Sequence, residues 1–280
     1  PYRALLPEVA FLRGLPYVDG PDDPLWRDCA SYWPALERQL EAAGGADGSL
    51  LAVVVEPVLQ GAGGMRLYSP DLLRRLRAWT RAHGVHLIAD EILTGFHRTG
   101  EVLACRHAGI EPDFLCLSKG LTAGWLPMSA VLLGEDTYRL FYADYGTGRD
   151  FLHSNTYAGN ALAAAVALEA LDVYRDENIP ARVASLSQAL RERLSAVKAR
   201  TGRLTGLRSL GAMAAADLTG PGVGPGLRAG YRVYREAVSR GALLRTLGDT
   251  VYWLPPLNTD AGTVEELADI TARAIEAALG

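Results

Sequence analysis

Lysine is almost missing from this chain. Only Lys119 and Lys198 occur in 280 residues, although lysine and arginine together number 28. A primary amine, unlike a guanidinium, can lose its proton and form a Schiff base, so each of the two positions merits a reason. Other scarcities exclude classes of function. The three cysteines, Cys29, Cys105 and Cys116, are odd in number and show neither a C-x-x-C pair nor alternating histidine spacing. Neither a disulfide framework nor a metal site is supported, and reduced thiols are expected. Positive charge is not in excess: the net charge is -4, which argues against nucleic acid or an anionic membrane as partner. No apolar run approaches the roughly 20 residues that span a bilayer. Pro1-Tyr2-Arg3 does not open a signal peptide, so a cytoplasmic address and small-molecule chemistry are the expectations.

What is present is an alternation of strands and helices. With 49% hydrophobic residues the chain can bury a sizeable core. Leu50 to Glu56 is a continuous apolar run ending at Pro57, the pattern of a strand covered on both faces. Pro70 to His83 reads as a helix, with Leu72, Leu73, Leu76 and Trp79 at helical spacing and Gly84 as its stop. Val85 to Ile92, Asp113 to Leu117 and Ser129 to Leu133 are further strands, and the order predicts a mostly parallel α/β sheet flanked by helices. Helices are expected at Ala161 to Tyr174 and Ala181 to Lys198. Strands at Leu207 to Leu218 and Ala242 to Leu254, around a helix at Arg228 to Arg240, lead to a closing helix from Val264 to Leu279. We therefore expect a large domain over residues 1–175 and a smaller C-terminal α+β domain over residues 176–280.

In parallel sheets ligands bind beyond the carboxyl ends of the strands, where Glu56, Asp90 and Lys119 all fall. Asp90 ends the apolar strand His86-Leu87-Ile88-Ala89-Asp90, and Lys119 follows the next one in Leu115-Cys116-Leu117-Ser118-Lys119-Gly120, a context that reads as desolvated. An amine and a carboxylate at neighbouring strand ends suit pyridoxal phosphate. The lysine would hold the aldehyde carbon, and the carboxylate would keep the pyridine nitrogen protonated so that the ring accepts electrons. The plainer readings are an ordinary strand-end lysine and a cap for the segment after Asp90. Glu56 would orient the glycine-rich turn that follows it, and the histidines show no metal spacing.

Three segments carry a family resemblance: Glu56-Pro57-Val58-Leu59-Gln60-Gly61-Ala62-Gly63-Gly64, Ala89-Asp90-Glu91-Ile92-Leu93-Thr94-Gly95-Phe96-His97-Arg98-Thr99-Gly100, and Pro112-Asp113-Phe114-Leu115-Cys116-Leu117-Ser118-Lys119-Gly120. With Phe151-Leu152-His153-Ser154-Asn155-Thr156-Tyr157, they resemble the class III pyridoxal-phosphate aminotransferases. The resemblance runs from about Leu50 to the end. It implies the fold type I architecture of such transferases, with 1–175 as the C-terminal part of the large cofactor-binding domain. It implies pyridoxal 5'-phosphate as cofactor, Lys119 as the Schiff-base lysine and proton carrier, and Asp90 as the partner of the ring nitrogen. Thr156 would bond the cofactor phosphate of a neighbouring subunit, so a homodimer with shared active sites follows. The substrates would be a small-molecule amino donor and a keto acceptor.

Within the family, Ala62 stands where many members that use an amino-acid donor carry a glutamate, and Gln60-Gly61-Ala62-Gly63-Gly64-Met65 resembles the branch working in biotin biosynthesis. The segment Leu244-Arg245-Thr246-Leu247-Gly248-Asp249-Thr250-Val251-Tyr252 is similar to that branch's carboxylate-binding segment. The reaction so implied is transamination of 8-amino-7-oxononanoate to 7,8-diaminononanoate, with Arg245 gripping the distal carboxylate, Tyr252 lining the same pocket and Arg98 as a further pocket residue. The donor, S-adenosylmethionine or lysine, is left open. Alternatives are another class III enzyme acting on an ω-amine or amino acid, or a catalytically silent fragment. Members normally carry, upstream, a glycine-serine phosphate-binding turn and an aromatic residue that stacks on the cofactor. Neither is found, and Pro1 to Trp33 reads as the connecting region that follows them, so an absent amino-terminal region is expected.

Overall fold

The computed structural model of the chain describes residues 9–44, 50–153 and 155–280. Residues 1–8 of the expected connecting region, and Ser154 of the expected phosphate-contacting turn, lie outside the described residues.

The described chain opens with β1 (Tyr17–Val18), the short helix α1 (Pro24–Arg27) and α2 (Trp33–Gly44), which buries Leu36 and Leu40. After β2 (Ala52–Val55) come β3 (Leu59–Gln60) and β4 (Arg66–Tyr68), and β1, β4 and β3 pair antiparallel into a small sheet. Strands of two or three residues carry no readable alternation, so periodicity does not reveal them. Helix α3 (Pro70–Ala82) begins where expected. Ser69 Oγ accepts the Asp71 amide at 3.0 Å, and Pro70 needs no amide partner in the first turn.

Strands β5 (His86–Asp90), β6 (Phe114–Leu117) and β7 (Ala130–Leu133) join β2 in a sheet of order β2-β5-β6-β7. β2 and β6 both run parallel to β5, with Asp90 in register with Cys116. β7 runs antiparallel to β6, so the expected mostly parallel sheet holds for two of its three pairings. The connection before β7 contains a 3-10 turn at Lys119–Thr122 and no crossover helix, which is what a parallel return needs. Asp113 ties α3 to this sheet. It takes a two-pronged ion pair from the buried Arg77, at 2.6 and 2.8 Å, and the Leu87 amide at 2.7 Å.

The remainder comprises α4 (Glu135–Phe141), α5 (Ala161–Asp176), α6 (Ile179–Thr201), β8 (Leu204–Leu210), β9 (Met213–Leu218), α7 (Ala229–Ser239), β10 (Thr246–Leu247), β11 (Thr250–Trp253) and α8 (Ala261–Leu279). The run Leu207 to Leu218, expected as one strand, is the end of β8, a turn, and β9. Gly211 makes the turn at φ +56°, and a Cβ there would strike the backbone of Thr99 and Arg98. The four strands form an antiparallel sheet of order β10-β11-β9-β8. Its apolar face, with Ala214, Ala216, Val251 and Trp253, packs with α6, α7 and α8 into one cluster running from Ile179 to Leu279. A second cluster joins Val58, Leu59 and Leu67 to Leu210, Met213 and Ala215, so the small sheet and the last sheet share packing.

Candidate active site

The parallel pairing of β5 and β6 sets their carboxyl ends side by side. Asp90 is the last residue of β5, opposite Cys116, and Lys119 follows β6 at the start of the 3-10 turn. Asp90 Oδ1 accepts the Ile92 amide at 3.0 Å, while Oδ2 accepts no hydrogen bond and the carboxylate pairs with no cation among the described residues. Glu56, just past β2, accepts the Gly61 amide on Oε2 at 2.9 Å, and so orients the glycine-rich turn as its position suggested. Burial raises the Glu56 carboxyl above its ordinary value. The Gly61 amide opposes that shift, the Asp90 charge adds to it and the Lys119 charge reduces it. The two carboxylates and the amine therefore act on one another. Gly61 is required here: a Cβ would collide with Leu93 and lie 3.3 Å from Glu56 Oε2.

One expectation is overturned. Lys119 is exposed in this chain, not desolvated, because its position after β6 lies outside the sheet and no described element covers it. Its backbone is unusual: φ is +40°, in the left-handed region that a side chain disfavours, and Ala123 at the turn's end is also left-handed, at +49°.

The segment after Asp90 is organised by a residue the sequence reading passed over. Glu91 is fully buried and accepts the Thr94 hydroxyl and the amides of Ala104 and Cys105, each at 2.8 Å. It closes residues 91 to 105 into a knot and, after burial itself, adds to the upward shift of the Cys105 thiol. The available signal was an acid beside Asp90 with Thr94 three positions on. From this knot Phe96 presses against Gly120, where a Cβ would lie 2.8 Å from Phe96 Cβ, and its ring stacks with Tyr174 of α5 at 5.9 Å.

Arg98 is partly buried, and its Nη1 donates to the carbonyls of Ala212 and Pro255, both at 2.9 Å. Burial pushes its guanidinium down to about 10 against a smaller opposing effect of Tyr174. These bonds tie the 91–105 segment to the C-terminal sheet. Thr156 is exposed in the turn before α5 and makes no hydrogen bond with the residues around Lys119. Arg245 is exposed just before β10 and has no side-chain hydrogen bond or ion pair among the described residues. The β10–β11 register, Thr246 with Val251, continued by one residue aligns Arg245 with the partly buried Tyr252. The structure thus brings Glu56, Asp90 and Lys119 together and leaves Thr156 and Arg245 apart from them. An amine beside a carboxylate that lacks a cation fits a ligand presenting an aldehyde to one and a protonated ring nitrogen to the other.

Comparison with known proteins points the same way. The family model "Aminotransferase class-III" matches residues 9–275. The chain is 39% identical over 274 residues to adenosylmethionine-8-amino-7-oxononanoate aminotransferase of Synechococcus elongatus, covering 97% of this chain and 61% of that protein. It superposes on the crystal structure of the protein with the same name from Methanocaldococcus jannaschii with a TM-score of 0.78, at 27% identity, over 91% of this chain and 59% of the other. An amine transaminase from an uncultivated Pseudomonas species, solved in its PLP-bound form, gives a TM-score of 0.76 at 31% identity over 91% and 59%. The chain spans about six tenths of the length of these relatives.

Proposed function

The chain belongs to the class III aminotransferases, and on that premise we propose that it carries the lysine-bearing part of a pyridoxal-phosphate site that transfers an amino group to 8-amino-7-oxononanoate, giving 7,8-diaminononanoate. The observation that carries the reading is the placement of Asp90 and Lys119 at adjacent strand ends, Asp90 having no cation partner among the described residues. The bound cofactor supplies an electron sink for the bond broken at the amine-bearing carbon. Lys119 Nζ would hold the cofactor's aldehyde carbon, and as a free amine would take the proton from the amine-bearing carbon and return one on the acceptor side. Asp90 holds a proton on the ring nitrogen by charge, and Glu56 fixes the glycine-rich turn beside them. Arg245, with its guanidinium unpaired, receives the acceptor's distal carboxylate, and Tyr252 lines that side. Arg98 is retained as a pocket residue through its remaining nitrogens.

Residues 1–175 form the cofactor-binding part and residues 176–280 a smaller domain, a division supported by the cluster that closes between Ile179 and Leu279. Thr156, exposed, serves the cofactor phosphate of a second subunit in a homodimer with shared sites. A cytoplasmic setting accords with the absence, among the described residues, of a helix long and apolar enough to cross a membrane. The names of the relatives favour S-adenosylmethionine as donor.

The test supplies pyridoxal phosphate, 8-amino-7-oxononanoate and either S-adenosylmethionine or lysine, and follows diaminononanoate by mass spectrometry. Arg245→Gln is expected to raise KM for the keto acid by roughly 10- to 100-fold, the loss of a charge-assisted pair. Equal KM values for wild type and variant would move the reading to a class III enzyme whose acceptor lacks that carboxylate.

A further inference from the structure

Lys119 sits in a backbone conformation that does not hold itself. Its φ of +40° is a left-handed conformation that a residue with a Cβ disfavours and that persists only where the surroundings impose it. Within the turn, the Leu121 amide donates to Ser118, Ala123 to Gly120 and Gly124 to Lys119, at 2.9 to 3.2 Å. The next stretch is tied back by Ser118 Oγ to the Met128 carbonyl and Thr122 Oγ1 to the Leu126 carbonyl. All of these lie between 118 and 128, so they could shift together. Among the described residues, one hydrogen bond reaches the turn's backbone from outside: the Tyr174 hydroxyl donates to the Gly120 carbonyl at 2.6 Å.

Tyr174 is well placed for this. It sits on α5, a helix of four turns capped by Asn160, and its ring stacks on Phe96, which itself lies against Gly120. Gly120 is thus held by a hydroxyl bond to its carbonyl and by contact with Phe96, and both oppose movement of the backbone next to Lys119. Burial raises the Tyr174 hydroxyl above its ordinary value, so it remains a donor at neutral pH.

Building on the proposed cofactor site, we propose that Tyr174 is a positioning residue for Lys119: its hydroxyl, through Gly120, fixes the turn that aims the amine. Tyr174→Phe removes one oxygen and keeps the ring. Two readouts on the whole chain are compared with wild type. One is amide hydrogen exchange of the peptide 118–125 without cofactor. The other is the pyridoxal phosphate concentration that half-saturates borohydride-trapped adduct on Lys119. Exchange in 118–125 is expected to speed several-fold with core peptides of α6 unchanged, and half-saturation to rise about five-fold, the effect of one hydrogen bond. Phe96→Leu keeps the hydroxyl and removes the ring that Tyr174 stacks on, and is expected to act in the same direction.

Unchanged exchange in Tyr174→Phe overturns the proposal, as does faster exchange with unchanged half-saturation, or exchange accelerated equally throughout the chain, which marks Tyr174 as packing only. An effect seen in Phe96→Leu alone also overturns it. If wild-type Lys119 takes no adduct, the cofactor reading fails by itself, and the exchange readout still decides whether Tyr174 holds the turn.

Discussion

The C-terminal sheet and the sheet that carries Lys119 draw on the same apolar residues and use them oppositely. In the first, Ala214, Ala215, Ala216 and Val251 have no exposed surface, because helices cover one face and the small N-terminal sheet packs on the other. Around the second, Trp125 is 81% exposed, Leu152 is 91% exposed, and Val131, Leu132 and Leu133 of β7 are exposed as well. The former region satisfies itself. The latter leaves several large apolar side chains in solvent, the kind of surface that further protein covers. Stability is therefore housed in one part of the chain and the proposed chemistry in another, and the proposed shared-site dimer would cover apolar surface of the second.

Lys119→Ala is the strongest way to separate the two. The side chain is exposed, so the variant is expected to keep its far-ultraviolet dichroism and unfolding midpoint while amino transfer falls to background. A large loss of stability would break the comparison. In the self-contained region, Leu194→Ala removes a side chain with no exposed surface and is expected to cost about 3 kcal/mol in urea unfolding.

Asp113→Asn tests the ion pair that ties α3 to the lysine-bearing sheet. It leaves the Arg77 guanidinium buried without its carboxylate, at a cost of about 3 kcal/mol. The Arg77 hydrogen bond holds the Asp113 carboxyl below its ordinary 3.8, with burial opposing. The folded form thus binds the proton less well than the unfolded one. The pair's stabilisation is complete above the ordinary value and is lost as pH falls through the lowered one. The wild-type advantage over Asp113→Asn should therefore shrink below about pH 4 in denaturation titrations. The smallest effect is expected at Leu152→Ser: a change in chain stability within about 0.5 kcal/mol, together with weaker self-association in sedimentation experiments. A large stability loss there would mean that the exposed surface is covered within the single chain.

Much of this arrangement was legible in the residues. Long apolar runs bounded by proline or glycine located β2, β5 and β6 to within about two residues, but the cover on both faces that such a run predicts is not found in β2, where Val54 is 64% exposed. Asp90 and Lys119 were legible because strand ends are where such sheets bind ligands. The reversed direction of β7 was not, because it depends on what the connection from Ser118 to Ser129 lacks. Nor was the clamp on Gly120, since Phe96, Gly120 and Tyr174 meet only after α5 packs on the turn. The exposure of Lys119 was misread for the same reason: an apolar strand before a lysine says nothing about what covers the turn after it.

The scarcity of lysine allows a direct test of the central claim, that Lys119 is the amine of a pyridoxal phosphate site. The chain is incubated with pyridoxal phosphate, reduced with borohydride, digested and mapped by mass spectrometry. Only Lys119 and Lys198 carry a side-chain amine. Adduct on Lys119 at low cofactor concentration, with Lys198 unmodified, is the predicted result. Equal modification of both lysines, or of Lys198 alone, would contradict it.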